Sequence, residues 1–391
     1  MSKKDFERNI WKYYIFTFLR NLMLILPIFI LFYQENGLSL SQIGFLATII
    51  SVIGLILEVP SGVFADLYGK KLSIVMGSLI IILGYLLRAM SSTFVNFIIA
   101  IAILSVGVSF ISGADSALLY DSLKEIKKEH LFKKISGTSN FLLLMGMGLG
   151  AFLGGLLTKY GLRTVHYLVI IPLTLSFLIS LTFKEPKDYK KVIKSNYLTH
   201  LKEGLIFSFT HKKVRSLILF SGTMVGFMLV SHIFFQPYMK QIGIATTSFG
   251  FFYLFFLVVS AFSSKFAYRI EEKLGEKKSM IIIPIILALQ LFFMWKFSFY
   301  WAFLFLFLGE FIWGFTTPII GHYINQHVES HHRATVLSID AMGHQVIWAI
   351  FAPLIGFFAD IWTLQTALLI QAGVVAFIAI IILVSWKLKK N

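Results

Sequence analysis

Apolar residues in this chain fall into about a dozen runs of roughly 20, separated by short polar segments. At 1.5 Å per residue, a helical run of that length crosses a ~30 Å hydrocarbon core. In lipid every backbone N–H and C=O must find a partner inside the chain, so such runs fold as helices. Charged residues make up 14% of the 391 positions, against roughly 25% in soluble globular domains. The expected fold class is an all-α polytopic membrane protein.

The runs cover 11–33, 41–64, 72–91, 96–120, 139–158, 163–183, 216–239, 247–268, 279–296, 299–322, 334–358 and 365–386. That predicts 12 transmembrane helices. The segment MSKKDFERN carries charge and lacks a small-residue cleavage site after its apolar run, so Trp11 onward is expected as a retained helix. If the N-terminus is inside, 29 of the 35 Lys and Arg lie in cytoplasmic segments and four (Lys159, Arg163, Lys240, Lys296) lie outside, leaving Arg20 and Arg88 within spans. The positive-inside rule therefore predicts cytoplasmic N- and C-termini in a multi-pass protein of the cytoplasmic membrane. The same rule accounts for the net charge of +16 without nucleic acid as a partner. The absence of cysteine excludes disulfides and Cys-ligated metals.

The longest cytoplasmic segment, 184–215, divides the spans six and six. The predicted domains are an N-terminal bundle at 1–183, a basic linker at 184–215 and a C-terminal bundle at 216–391. An offset of 206 residues brings Gly37 onto Gly243, Gly44 onto Gly250, Gly69 onto Gly275, Gly137 onto Gly343 and Gly150 onto Gly356. Chance would align about one glycine pair, given how the 28 glycines are spread. Two parallel six-helix repeats are a transporter architecture.

Between spans 2 and 3 the chain reads GVFADLYGKK, placing Gly62, Asp66, Gly69, Lys70 and Lys71. Glycine permits a tight turn, an acid can cap the next helix, and the lysines suit anionic headgroups. This loop strongly resembles the signature loop of the major facilitator superfamily, and the resemblance extends over the chain through its twelve spans, its halving and the echo at Glu272, Gly275, Lys277 and Lys278. It implies a gating role for Asp66, with Glu58 as part of the gate. In span 5, Gly146, Gly150, Gly154 and Gly155 are similar to the antiporter signature of drug:proton exchangers, with Ala151 where that signature has proline. Small residues also let any two helices pack closely, so a plain helix contact is the alternative. In span 4 those exchangers carry an arginine where this chain has Ser109, so coupling through that arginine is not available. Ser105, Ser109, Ser112 and Ser116 instead form a stripe bordered by Asp115, implying a wet or helix-facing surface.

An ionisable group inside a span costs about 2.5–3.5 kcal/mol on insertion scales and needs a partner, water or a task. The resemblance implies that spans 1, 4, 7 and 10 line a cavity, and these hold Arg20, Asp115, His232 and Glu310, with Tyr13 and Thr17 on the Arg20 face. Similar depths make an Arg20–Asp115 ion pair an expectation. Glu310 is the first choice for proton coupling, with a structural hydrogen-bonded role or substrate-cation binding as alternatives. His232 is a substrate-binding candidate. Asp340 and His344, one turn apart on span 11, read as a latch onto the gating loop or as a proton relay. His322, His327, His331 and His332 lack further strong ligands, so no metal is expected.

The leading expectation is a proton-coupled transporter that uses alternating access to expel small amphipathic or drug-like molecules. The proton gradient supplies the energy, there is no other cofactor, and a monomer suffices. The alternative is a proton symporter that imports a polar or anionic metabolite, with Arg20 as an anion clamp. A membrane sensor or enzyme is the remote alternative, since no nucleophile and base arrangement or phosphate-binding loop is present.

Overall fold

The computed structural model describes residues 3–186, 205–328 and 333–387. Fourteen α-helices are used below: α1 (Lys3–Arg20), α2 (Phe29–Glu35), α3 (Leu40–Tyr68), α4 (Lys70–Met90), α5 (Phe94–Ile111), α6 (Ala114–Glu125), α7 (Phe132–Leu157), α8 (Leu162–Leu168), α9 (Ile170–Leu181), α10 (Lys212–Gln241), α11 (Phe249–Lys296), α12 (Leu304–Gln326), α13 (Arg333–Ile361) and α14 (Leu364–Lys387). Linker residues 187–204, together with His331 and His332, lie outside the described residues.

Ten helical stretches among the described residues are long and apolar enough to cross a membrane. Two departures from the predicted spans account for the difference from twelve. The first is in span 1, which is not one helix. After Arg20 the backbone tightens, with Leu22 N–H donating to Leu19 O, Met23 N–H to Asn21 O and Leu24 N–H to Leu22 O, and α2 resumes only past Pro27, which has no N–H to donate. The second is that spans 8 and 9 run on as the single long α11, interrupted at Gly275, where φ is +73° and ψ is 164°. Span 4 likewise divides into α5 and α6 at Gly113, where φ is +76°. The serine stripe read along it is therefore not continuous. Ser105 and Ser109 are buried and donate back to Ile101 O and Ser105 O, whereas Ser112 and Ser116 are exposed.

The 206-residue offset has a conformational counterpart. Gly37 and Gly243 have φ of +82° and +84°, and Gly69 and Gly275 have +105° and +73°. L-residues with a side chain rarely adopt such angles, so glycine is required at both copies of each turn.

The chain gathers into two compact units: Met1–Leu38, Val52–Ser195 and Thr246–Leu254 form the first, and Ser39–Ser51, Asn196–Ala245 and Phe255–Asn391 form the second. In the first unit α7 packs on the tight turns after α1. A Cβ on Gly154 would lie 1.7 Å from Leu24 O, so the two backbones meet directly where only glycine fits. In the second unit α10 is the central helix, with most of its residues buried. Gln371 on α14 donates from Nε2 to Phe227 O and Ser231 Oγ of α10, both at 2.9 Å. The start of α3 belongs to this unit, and its first N–H groups are capped by Asp360, whose two carboxylate oxygens accept from Leu40 and Ser41 at 2.8 Å each.

Candidate functional site

In the second unit, α10 and α12 carry His232 and Glu310. His232 Nε2 lies 3.1 Å from Glu310 Oε1, with the Glu310 side chain 11% exposed and the His232 side chain 32% exposed. A carboxylate taken out of water costs free energy unless it is hydrogen-bonded, and the imidazole supplies that bond. Aromatic rings close the surroundings: the His232 ring is 4.9 Å from the Phe235 ring and 5.2 Å from the Trp313 ring. Trp313 follows Glu310 by three residues on α12, which puts the two side chains on one helix face.

A second imidazole–carboxylate pair stands on α13. His344 Nε2 is 3.4 Å from Asp340 Oδ2 and 2.9 Å from Ser221 Oγ of α10. Asp340 is buried and its Oδ1 has no hydrogen-bond partner among the described residues.

In the first unit α1 and α6 form the Arg20–Asp115 ion pair, with Nη1 to Oδ2 at 3.2 Å. The other oxygen, Oδ1, accepts from Ser116 N–H at 2.7 Å, and the guanidinium lies 5.5 Å from the Phe16 ring centroid. Tyr13 and Thr17 are hydrogen-bonded partners on the same side of α1, with Tyr13 in electrostatic reach of both charges. Tyr13 also packs on the apolar cluster of Phe6, Leu119 and Leu123.

At the GVFADLYGKK loop the cap of α4 is Glu185, from the start of the linker. Its carboxylate accepts from Lys70 N–H at 2.9 Å and Lys71 N–H at 2.6 Å. Burial pushes the Glu185 carboxyl up from its ordinary value, and these two N–H groups and the Lys70 charge pull the other way. The Lys70 ammonium pairs with Asp121 of α6. Asp66, which the sequence offered as an acid able to cap this helix, is exposed, as are Glu58 and Gly62. Lys71 contributes its backbone N–H, and Gly69 turns the chain at φ +105°, where a Cβ would lie 3.1 Å from the Glu185 carboxyl carbon.

The glycines of α7 sit against backbone. A Cβ would meet Phe18 O at Gly146, Met23 N at Gly150, Leu24 O at Gly154 and Gly250 N at Gly155. At the loop after α12, His327 Nδ1 donates to Tyr323 O at 2.8 Å and His322 Nε2 is 2.9 Å from Gln326 Nε2. Among the described residues no group of three or more potential ligands is poised for a metal.

The sequence profile of the Major Facilitator Superfamily matches residues 14–339 and again 217–391. The chain belongs to the Major Facilitator Superfamily. Among curated relatives of this superfamily chain is the MFS-type transporter YxaM of Bacillus subtilis (strain 168), 26% identical over 273 residues, covering 66% of this chain and 67% of YxaM. The MFS-type transporter MJ1560 of Methanocaldococcus jannaschii is 25% identical over 296 residues, covering 71% and 72%. Among solved structures, the nucleoside transporter NupG superposes with a TM-score of 0.83 at 14% identity, covering 97% of this chain and 99% of that one. An inward-facing bacterial homologue of the human lysosomal transporter Spinster gives 0.72 at 14% identity, covering 98% and 96%. These structures share the fold. The superfamily chain is accordingly a multi-pass membrane transporter of small molecules, and its relatives and structural neighbours are transporters, not enzymes.

Sequence reasoning placed His232 and Glu310 in this transporter as separate candidates, and their contact depends on which faces of α10 and α12 meet. Asp340 and His344 were paired in advance by their four-residue spacing. Glu185 was missed as a cap because an acid in a basic linker has no local signature for the helix that starts 115 residues earlier.

Proposed function

We propose that this transporter is proton-coupled, works by alternating access and expels small amphipathic or drug-like molecules. The observation that carries the reading is the His232–Glu310 pair, 3.1 Å apart on two membrane helices and flanked by the Trp313 and Phe235 rings. Taking up a proton changes the charge of this pair by one, and in low dielectric that change alters which conformation is favoured. The aromatic faces suit an apolar or cationic substrate body beside the titrating pair. The glycines of α7 support the antiporter-like reading, since helices in backbone contact can shift without side chains interlocking. Arg20, Asp115, Tyr13 and Thr17 are the substrate-side candidates of the first unit.

The reading includes twelve membrane crossings in two six-helix bundles, with both termini in the cytoplasm of a monomer in the cytoplasmic membrane. The break after α1 counts within one crossing, and Gly275 divides α11 into two. The gate comprises Glu58, Gly62, Asp66, Gly69, Lys70 and Lys71, with Asp340 and His344 as a latch.

The test is purified protein in proteoliposomes carrying a pH-sensitive dye and presented with a panel of lipophilic cations, anions and metabolites. Proton flux opposite to the substrate is expected, and Glu310→Gln should abolish proton-driven transport while substrate exchange persists. Substrate movement with no proton flux in the unmodified protein, or unchanged pH-gradient dependence in Glu310→Gln, would overturn the assignment.

A further inference from the structure

At the end of α4 opposite Lys70, Arg88 is 5% exposed, and two of its nitrogens, Nε and Nη2, are buried without a hydrogen-bond partner among the described residues. Its guanidinium lies among aromatic rings, 4.8 Å from the centroid of Tyr33, 5.7 Å from Phe29 and 5.9 Å from Tyr85. Cation–π attraction offsets part of the cost of burying the charge, and the Tyr33 hydroxyl bonds to the guanidinium, but among the described residues nothing accepts from Nε–H or Nη2–H. Nε–H and Nη2–H point the same way along one edge of the guanidinium. That is the edge with which arginine grips an anion through two parallel hydrogen bonds.

The neighbour Arg163 adds a second positive charge. Arg163 Nη1 donates to Ala89 O and its Nη2 to Asn36 Oδ1, so this second guanidinium is held one residue from Arg88 by acceptors that carry no charge. Its Cζ lies 5.2 Å from the Phe32 ring. His166, fully buried, donates from Nδ1 to Leu162 O at 2.9 Å and stacks on Phe32 at 3.8 Å, with Arg88 and Arg163 as the charges that act on it. No carboxylate among the described residues pairs with either arginine. A buried cation with neither a counter-charge nor partners for a whole donor edge is a costly arrangement.

We propose that the Nε and Nη2 edge of Arg88, walled by Phe29, Tyr33 and Tyr85, binds one small monovalent anion of chloride size. One charge neutralises the buried guanidinium. A polyanion would need further donors, and Nη1 and Nη2 of Arg163 already donate to Ala89 O and Asn36 Oδ1. A bulky or strongly hydrated anion does not suit a side chain this enclosed. The site lies wholly in the first unit.

The test uses the full chain in lipid nanodiscs at fixed pH and ionic strength, with potassium gluconate replaced stepwise by potassium chloride or bromide. Unfolding is followed by tryptophan fluorescence. Binding to the native state alone raises Tm, and a saturable rise of about 2–4 °C is expected with either halide. Arg88→Lys keeps a charge but lacks the paired edge, and should raise the half-saturating chloride concentration about tenfold or more. Should that variant fail to fold, bromide anomalous scattering from crystals of the unmodified protein locates the ion, expected against Arg88 Nε and Nη2. A Tm indifferent to the exchange of gluconate for halide, an unaltered chloride response in Arg88→Lys, or bromide absent from Arg88 would each overturn the proposal.

Discussion

Replacing Asp115 by Asn removes one charge from the Arg20–Asp115 pair and leaves the shape almost unchanged. At the observed 3.2 Å, an effective dielectric of about 20 gives a gross attraction of about 5 kcal/mol. Desolvation and side-chain ordering cancel most of it. Exposed pairs are worth about 0–1 kcal/mol and breaking a fully buried pair costs about 3–5 kcal/mol. With side chains 27% and 19% exposed, this pair falls between, and a loss of about 1–3 kcal/mol is expected for Asp115→Asn. The Asn side-chain oxygen can still accept from Ser116 N–H, so the loss reports the charge and not the turn at Gly113. At about 2–4 °C per kcal/mol the variant should melt roughly 2–12 °C lower. The assay is a double-mutant cycle with Arg20→Gln, measured by tryptophan fluorescence in nanodiscs, with a coupling of about 1–2 kcal/mol expected. Because the pair is partly shielded, the coupling should persist in 0.5 M potassium gluconate, where exposed charges about a Debye length apart are screened (~4 Å). A coupling within about 0.3 kcal/mol of zero, or a higher Tm in Asp115→Asn, would refute the reasoning.

Gly154→Ala should destabilise by about 1–3 kcal/mol or more, since its Cβ would lie 1.7 Å from Leu24 O, whereas Gly137→Ala on the same helix meets nothing within 4 Å and should be neutral or stabilising by up to about 1 kcal/mol; equal Tm values for the two variants would contradict the packing described. Glu185 has a raised pKa, so in the window from about 4.5 up to that value the native state holds more protons than the unfolded state. Stability therefore falls as pH rises through that window, and Glu185→Gln should flatten this part of a Tm-against-pH profile. Gly69→Ala should cost about 1–3 kcal/mol through its φ of +105° and contact with the Glu185 carboxyl, and a melting temperature equal to that of the unmodified protein would exclude strain at this turn.

Much of the architecture was legible because membranes impose a one-dimensional rule: backbone polar groups must be satisfied locally, so apolar length alone marks the helices. The 206-residue repeat was legible because turns with positive φ tolerate little besides glycine, and Gly37, Gly243, Gly69 and Gly275 each adopt one. The spacing of Asp340 and His344 announced their contact because one turn of helix separates them. Hydropathy did not reveal that the first span breaks after Arg20 or that α11 runs through Gly275, because the backbone's path is set by what packs beside it. In the first case the neighbour is Gly154, whose missing Cβ makes room for Leu24 O.

The sequence by itself determined a helical membrane transporter fold, its internal repeat and the short roster of ionisable residues worth attention. Only the tertiary structure decided who partners whom: His232 with Glu310, Arg20 with Asp115, Glu185 with the N–H groups of Lys70 and Lys71, and Arg88 with aromatic rings. The physical reason is that periodicity tells which residues share a helix face, while the azimuth and depth at which two faces meet come from side-chain volumes summed over the whole interface.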